Sequence, residues 1–483
     1  MNSLWQNLML LSLPYSQWQH ASILHRLVGL LQSWRNGSYV MQYAEAIGGV
    51  LVALVFALAP FLPNTDLIGI LLAACGAYWL LLTLSDDEAD DEATGGAASL
   101  RRRFTGLTTP IHLLVFLYWG VSIVATGLSP VKQAALVGLG KLTLYLLFFL
   151  LAARVLRSPR IRSFVLSVYL LTALAVSAYG LQQWFSGTAA LATWVDPESP
   201  LSKLTRVYSY LGNPNLLAGY LVPALIFSVV GILAWRSRAC KALALMMAIV
   251  NGTCLILTFS RAGWIGMFVA GLALVVLLAY WWSVALPKFW RTWAIPIAVG
   301  GLAGLVLLSM LVLPPFRDRV ISMFAGRGDS SNNFRINVWL SVVEMIKQRP
   351  VLGIGPGNVA FNKIYPIFQR ARFSALSAYS ILLEVAVETG AIGVACFVWL
   401  LLVTLNLGLT MLNRLREVGD RAGLWLIGAI ATLLGMLSHG LFDTVLYRPQ
   451  VNTLWWLMFA LIASFYSLPV QAAATGEDDR VLR

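Results

Sequence analysis

The segment LLAGYLVPALIFSVVGILAW, Leu216–Trp235, contains no Asp, Glu, Lys or Arg along its whole length. About 20 consecutive apolar residues are what an α-helix needs to cross a hydrocarbon core roughly 30 Å thick. A helix that is apolar on every side is typical of a membrane span or of the interior of a large bundle. The segment therefore predicts a transmembrane helix.

Similar segments occur along most of the chain, and together they predict about twelve transmembrane helices. We place them at Ile47–Leu62, Leu67–Leu84, Ile111–Gly127, Gln133–Ala153, Phe164–Trp184, Leu216–Trp235, Ala242–Phe259, Gly263–Trp282, Trp293–Leu313, Ala391–Leu412, Leu424–Leu441 and Thr453–Leu468. The predicted fold class is all-α, a polytopic membrane helix bundle with a large extracytoplasmic loop that carries amphipathic helices. The predicted divisions are an N-terminal cytoplasmic or interfacial segment (1–45), nine transmembrane helices (46–313), the large loop (314–390), three transmembrane helices (391–469) and a cytoplasmic tail (470–483).

The composition supports this class and excludes others. Of 483 residues, 59% are hydrophobic and 11% are charged, against roughly 45–50% and about 25% in soluble domains. The formal charge is +13, but most Lys and Arg residues lie in short loops between apolar segments. We therefore predict membrane lipids, and no nucleic acid, as partners. The cysteines and histidines show no metal-ligand spacing, so we predict neither a metal site nor a cofactor.

The distribution of basic residues predicts the orientation of the bundle. Alternate loops carry groups of arginines, such as Arg101–Arg103 and those in residues 154–162, whereas the short loops on the other side carry few. By the positive-inside rule, we expect a multi-pass protein of the cell (inner) membrane with both termini cytoplasmic. The loop 314–390 would then lie outside, and the acidic run DDEADDE, Asp86–Glu92, would be a solvated inner loop.

The large loop contains a helical pattern in FRINVWLSVVEMIKQ, Phe334–Gln348. One face would be apolar and is formed by Phe334, Val338, Trp339, Val342 and Ile346, at spacings of three and four residues with one adjacent pair. We expect this helix to lie on the outer membrane surface and to cover the bundle, with Arg335 facing away from the apolar side. The glycine-rich segment GIGPG, Gly353–Gly357, follows. It is either a bare turn or a cradle of backbone N–H groups for an anion.

Three arginines are candidate anion-binding residues because each is placed near the outer face by a separate span boundary. Arg206 precedes the helix entry Asn213–Asn215, Arg261 lies in a short turn, and Arg335 begins the loop helix. Planar guanidinium groups suit oxyanions such as bicarbonate and phosphates. We predict that they converge on one pocket. The alternatives are ordinary solvated or snorkelling arginines, or arginines each paired with an acid such as Glu384 or Glu388.

Two further features within predicted spans could be functional or structural. Lys141 lies inside the fourth span, where a lysine costs on the order of 2.5–3.5 kcal/mol, so it is a candidate site residue unless it snorkels outward. His439 and Asp443 lie four residues apart on one helix face and could form a structural hydrogen bond. No arrangement of residues indicates a hydrolase, and the sequence assigns no catalytic residue.

An ordered set of motifs resembles the O-antigen ligase and polymerase superfamily. The set consists of GNPN, SRAGW, RINVW followed by RPVLGIGPG, and LLEVAVETGAIG, and it covers roughly Arg206–Gly393. Further segments, SAYSILLEVAVETG and SHGLFDTVLYRPQVNTLWW, resemble one branch, the IctB family of photosynthetic bacteria, whose members are described as bicarbonate transporters. The chain is therefore expected to take part in inorganic carbon accumulation, with bicarbonate as its small anion.

The alternative implied by the same resemblance is a glycosyltransferase. The ligases bind a polyprenyl-diphosphate-linked glycan at the outer membrane face through arginines, and a loop histidine is their proposed base. The resemblance thus assigns anion or substrate binding to Arg206, Arg261 and Arg335. Tyr379 occupies the place of the histidine, and an unperturbed tyrosine is a poor base near neutral pH. An enzyme is consequently less expected than a non-enzymatic membrane protein.

Overall fold

The computed structural model describes residues 3–10, 28–62, 65–86, 108–187, 206–283, 287–312, 314–444 and 447–466. All regular structure within these ranges is helical, which confirms the predicted all-α class. The first helices are α1 (Ser3–Leu8), α2 (Gln32–Gly37), α3 (Ala44–Leu58), α4 (Thr65–Leu84), α5 (Pro110–Gly127), α6 (Lys132–Val155), α7 (Pro159–Ser186), α8 (Pro214–Ala234) and α9 (Arg238–Leu257). They are followed by α10 (Arg261–Trp282), α11 (Lys288–Val312), α12 (Pro314–Ile321), α13 (Ser330–Gln348), α14 (Asn358–Phe368), α15 (Ile381–Val418), α16 (Gly423–Gly440) and α17 (Pro449–Ser464).

In the described part of the chain, ten helices are long and apolar enough to cross a membrane, as judged by length and composition. These are α3 together with the short 3₁₀ turn before it, α4 to α10, α15 and α16. The polytopic helical class is therefore confirmed. The ninth and twelfth predicted spans correspond to α11 and α17, which are not among the ten. Helix α17 has 16 residues and rises about 24 Å, less than the hydrocarbon thickness.

Helix α17 nevertheless lies at the centre of the bundle. Every residue from Val451 to Ser464 is buried, including Trp455 and Phe459. The helix packs against α6 and α16, and also against α8 and α15. A helix that is buried on all sides needs apolar or small residues on every face, as this one has. The apolar residues of α8 are buried in the same way, so Leu216–Trp235 marks the interior of the bundle.

The end of the bundle opposite the large loop is held by buried ion pairs. Arg154 bonds to Asp86 at 2.7 Å and to Glu45 at 2.9 Å, and Arg35 bonds to Asp86 at 2.8 Å. The prediction that the acidic run is solvated is therefore wrong for Asp86, because two guanidinium groups compensate its burial. Residues 87–92 of that run lie outside the described part.

The loop helices form a small apolar core of their own above α15. It includes Val338, Val342 and Met345 of α13 and Phe361 and Tyr365 of α14. The predicted helix is present, but its buried face is rotated from the predicted one: Asn337, Ser341 and Met345 are buried with Val338 and Val342, and Trp339 is half-buried. The rotation follows from the packing, since α13 contacts both α14 and α15 rather than a single flat surface.

The GIGPG segment is fastened to a break in α15. Gly390 has φ +66° inside the helix, and a Cβ there would lie 2.2 Å from the backbone of Val351. The N–H groups of Ile354 and Gly355 donate to the carbonyls of Val387 and Glu388, both at 2.9 Å. Since these donors are occupied by protein carbonyls, the geometry supports a structural turn at this part of the segment.

Candidate anion site and adjoining cavity

Four arginines gather at the end of the bundle that carries the large loop. The first, Arg206, precedes α8, whose entry is capped by Asn213 through its side-chain oxygen and the N–H groups of Asn215 and Leu216. Its Nε donates to the carbonyl of Thr258 at 2.9 Å and its Nη2 to the Oδ1 of Asn215 at 3.0 Å. These acceptors are neutral, so the hydrogen bonds fix the guanidinium without neutralising it.

Arg261 begins α10, whose N-terminus is capped by Ser260. Its Nη1 donates to the carbonyl and hydroxyl of Ser322, and its Nη2 donates to Oδ1 of Asp329 at 2.8 Å. Asp329 also accepts from the N–H of Asn332 and so caps α13. Burial alone would raise the pKa of Asp329, but the hydrogen bond and charge of Arg261 lower it below its usual value. This pair therefore connects the bundle to the loop.

Arg335 points toward the bundle, which corrects the prediction that it faces away. Its Nε donates to the carbonyl of Phe442 at 2.9 Å and its Nη1 to the hydroxyl of Ser331 at 2.7 Å. Its Nη2 lies 3.7 Å from Oδ2 of Asp443. A carboxylate and a backbone carbonyl on the bundle attract the guanidinium, and these charge-assisted contacts stabilise it more than full hydration would.

Arg319 completes the group, and nothing in the sequence distinguished it from the other loop cations. It is buried, and its Nε donates to the carbonyl of Phe259 at 3.1 Å. Phe259 adopts φ +49°, a strained conformation that presents consecutive carbonyls to Arg206 and Arg319. Burial lowers the pKa of Arg319 to about 9, with contributions from the charges of Arg206 and Arg261.

The charges of the cluster do not balance. We define the arginine cluster as Arg206, Arg261, Arg319 and Arg335, with Asp329 and Asp443 as its acids. Four positive charges thus face two negative ones, an excess of +2. Burial lowers the pKa of Arg206 to about 10, and the charges of Arg335 and Arg261 lower it too. Arg206 and Arg319 make no ion pair with any carboxylate in the described ranges.

Tyr379 lies beside this cluster. It adopts φ +49°, and its ring packs edge-on against Phe334 with centroids 5.4 Å apart. Burial raises the pKa of Tyr379 to about 12, and the negative charge of Asp443 contributes to the rise. A phenol with that pKa is almost entirely protonated near neutral pH. It can donate or accept a hydrogen bond, but it cannot serve as an efficient base.

Lys141 is not a member of the arginine cluster; it lines a cavity of about 80 Å³. Two buried carboxyl groups from the first turns of α15, Glu384 and Glu388, also line it, together with Tyr447. The hydroxyl of Tyr447 donates to Oε1 of Glu388 at 2.8 Å. The two glutamates therefore do not pair with the arginines. Other lining residues are Tyr118, Gly138, Leu142, Tyr145, Pro356, Gly357, Asn358, Val385, Phe397, Asn452, Trp455 and Trp456.

Two other polar candidates are structural or unpaired. Asn251 accepts from the hydroxyl of Ser177 at 2.7 Å and donates to Ser228, so it joins α9 to α7 and α8. His439 is buried, and neither ring nitrogen has a hydrogen-bond partner among the described residues. The suggested bond to Asp443 is absent, and the predicted shared helix face is wrong, because α16 ends at Gly440 and Asp443 lies beyond it.

Residues 242–398 match the family model described as O-antigen ligase. The matched region runs from α9 into α15 and contains Arg261, Arg319 and Arg335, as well as Glu384 and Glu388. No curated protein matches the chain. The match supports an O-antigen ligase-like membrane protein. It gives no support to the narrower IctB resemblance or to bicarbonate transport.

Proposed function

We propose that this O-antigen ligase-like protein transfers a glycan from a polyprenyl-diphosphate carrier at the outer face of the membrane, with the arginine cluster as its diphosphate site. The observation that carries the proposal is the excess of +2 within a half-buried group of four arginines. Gathering such charges is unfavourable by itself, since two unit charges 4 Å apart repel by about 4 kcal/mol at an effective dielectric constant of 20. A multivalent anion relieves this repulsion.

A diphosphate suits the cluster in charge and in shape. Its several oxygens can accept from more than one guanidinium fork at once, whereas a monovalent anion would leave part of the excess charge uncompensated. The cluster lies where α8 and α10 begin and under the loop helix α13. A lipid-linked substrate would place its chain among the helices and its phosphates at this level.

The arginines would contribute chemically as well as by binding. When the bond between the anomeric carbon and the phosphate oxygen breaks, negative charge accumulates on the departing diphosphate. Fixed cations at that point stabilise the transition state more than the ground state, because the charge increases during the reaction. Hydrogen bonds from Arg206 to Thr258 and from Arg319 to Phe259 hold two of these cations in place beforehand.

Bicarbonate accumulation remains a prediction that the described geometry does not favour. A transporter should place polar groups through the middle of the bundle. Asn251 is hydrogen-bonded to two serines there, and Lys141 lines a cavity that also contains two carboxyl groups, which disfavour an anion.

The test compares anion binding with uptake in the same purified protein. In nanodiscs, we expect inorganic pyrophosphate to bind, and Arg206→Gln and Arg319→Gln each to weaken binding at least tenfold. Arg327→Gln is the matched control, because Arg327 is an exposed arginine of the same loop. Transfer would be followed with farnesyl-diphosphate-linked N-acetylglucosamine. Labelled bicarbonate uptake into liposomes, with no pyrophosphate binding, would refute the proposal.

A further inference from the structure

The cavity beside the arginine cluster contains a buried carboxyl group, that of Glu384, for which the protein supplies few hydrogen-bond donors. Glu384 is 1% exposed, and no well-formed hydrogen bond among the described residues ends on its carboxyl oxygens. The hydroxyl of Tyr447, which donates to Glu388, lies close enough to interact with Glu384 as well. Glu388, one helical turn later, is bonded by Tyr447. A buried polar group without a partner costs roughly 1–3 kcal/mol, and more if it is charged. Such a group in a cavity indicates a ligand that supplies donors.

The cavity is large enough and suitably lined for part of a sugar. A single water needs about 10–15 Å³ of such volume, so about 80 Å³ accommodates several waters or the polar edge of a small ring. The aromatic rings of Trp455, Trp456 and Tyr118 line it together with Glu384. Aromatic faces pack against the apolar C–H faces of sugars, and the carboxyl oxygens of Glu384 can accept from hydroxyl groups on neighbouring carbons.

One short segment connects this cavity to the arginine cluster. The carbonyl of Phe442 and the carboxylate of Asp443 contact Arg335, whereas Tyr447 contacts Glu388. Four residues of chain span at most about 14 Å. Asp443 also lies within electrostatic range of Glu384. The electrostatic interaction of Asp443 with Glu384 therefore makes the two sites neighbours.

We propose that the cavity is the subsite for the acceptor sugar and that Glu384 is the base that takes the proton of the attacking hydroxyl. This rests on the proposed function. The acceptor oxygen forms a bond to the anomeric carbon of the donor, and its proton passes to the Glu384 carboxylate. The bond from that carbon to the phosphate oxygen breaks, and its electron pair leaves on the diphosphate held by the arginine cluster.

Tyr379 is the other candidate for the base, and it is poorly suited to accept a proton. Tyr379 occupies the position of the histidine in the resembling ligases, but it is protonated near neutral pH and packs against Phe334. Glu384 follows five residues later, in the first turn of α15. Glu388, by contrast, already accepts a hydrogen bond from the hydroxyl of Tyr447.

The experiment uses full-length protein in nanodiscs, farnesyl-diphosphate-linked N-acetylglucosamine as donor and a panel of methyl glycosides of common hexoses as acceptors. We expect at least one glycoside to accelerate donor consumption, with a rate that falls as the pH is lowered and Glu384 becomes protonated. In Glu384→Gln this acceleration should fall by about 10²–10⁴-fold and the acidic fall should disappear, the usual range for loss of a general base. Pyrophosphate binding should stay within twofold of wild type, which also shows that the variant is folded.

Two comparisons complete the design. Glu384→Asp should restore part of the rate together with the acidic fall, and Glu344→Gln, at an exposed carboxylate of α13, should change nothing. If the glycoside-dependent rate of Glu384→Gln lay within threefold of the wild-type rate, the assignment of Glu384 as the base would be refuted. Pyrophosphate binding without acceleration by any glycoside would overturn the acceptor subsite and leave the diphosphate site intact. Failure of wild-type protein both to bind pyrophosphate and to transfer would instead overturn the proposed function, and this inference with it.

Discussion

Asp329→Asn should make the protein less stable and, at the same time, a stronger binder of anions. Asp329 and Arg261 form an ion pair at 2.8 Å in which each side chain is 8% exposed. Removing one partner of a buried pair leaves an uncompensated charge and costs roughly 3–5 kcal/mol. Asparagine caps a helix about as well as aspartate, so the bond to the N–H of Asn332 should survive. We therefore expect a loss of about 3 kcal/mol in the free energy of unfolding.

The gain in anion binding follows from the charge of the cluster, which rises from +2 to +3. One added charge about 8 Å from an anion contributes roughly 2 kcal/mol at an effective dielectric constant of 20. That energy corresponds to about a 30-fold lower Kd at low salt, and the effect should shrink as salt is added. A cluster that is only structural would lose stability in this variant without any such gain.

The assay is thermal unfolding followed by tryptophan fluorescence at low ionic strength, with and without sulfate at neutral pH, and over an acidic pH series without sulfate. The Asp329→Asn variant should unfold at a lower temperature than wild type, and sulfate should raise its unfolding temperature by more than it raises that of wild type. Because the pKa of Asp329 is lowered in the folded state, the wild-type pair contributes stability above the ordinary pKa of an aspartate. That contribution is lost as the pH falls through the lowered value, and the variant should lack this acid-sensitive part. A sulfate effect equal to or smaller than that of wild type would refute the reasoning.

The remaining predictions concern Tyr379, the break in α15 and the topology. Tyr379→Phe should retain at least half of the transfer activity, and abolition of activity in folded protein would show that the hydroxyl is required. Gly390→Ala should lower the unfolding temperature strongly, because φ +66° and the backbone of Val351 leave no room for a Cβ, whereas Gly271→Ala, with open space around it, should not. In a cysteine-free background, Ser331→Cys should react with an impermeant maleimide from outside and Ala93→Cys only from inside; labelling of both from outside would contradict the predicted orientation.

The fold could be predicted to a large extent because a membrane span is recorded in the sequence itself. About 20 apolar residues, with positive charges at alternate ends, identify most of the helices, including α8. Helix α17 shows the limit of this criterion. Its 16 residues are buried among other helices, so they need not match the thickness of the bilayer. Hydropathy therefore located this helix but could not decide whether it crosses the membrane. Asp86 shows a second limit, since its two arginine partners lie about 51 and 68 residues away in the chain.

The candidate site was predicted only in part, and the reason is again sequence separation. Arg206, Arg261 and Arg335 could be named because each adjoins the end of a helix that the sequence reveals. Arg319 is one of several similar loop cations, and only its contact with the strained Phe259 separates it from Arg317 or Arg327. The rotated face of α13 had the same origin, because the pattern of one helix does not reveal how many neighbours it packs against.

The proposed reaction depends on the separation of the arginine cluster from the two glutamates, Glu384 and Glu388. If Glu384 and Glu388 had paired with the arginines, the cluster would be neutral and neither group could act on a substrate. Instead, the arginines keep an excess of +2, while both glutamates lie beside the neutral hydroxyl of Tyr447, which donates to Glu388. The GIGPG turn is hydrogen-bonded to the carbonyls of Val387 and Glu388 and so fixes the turn of α15 that carries the second glutamate. A cation site for a leaving group and a carboxylate for an attacking hydroxyl need this arrangement, since their direct contact would cancel both.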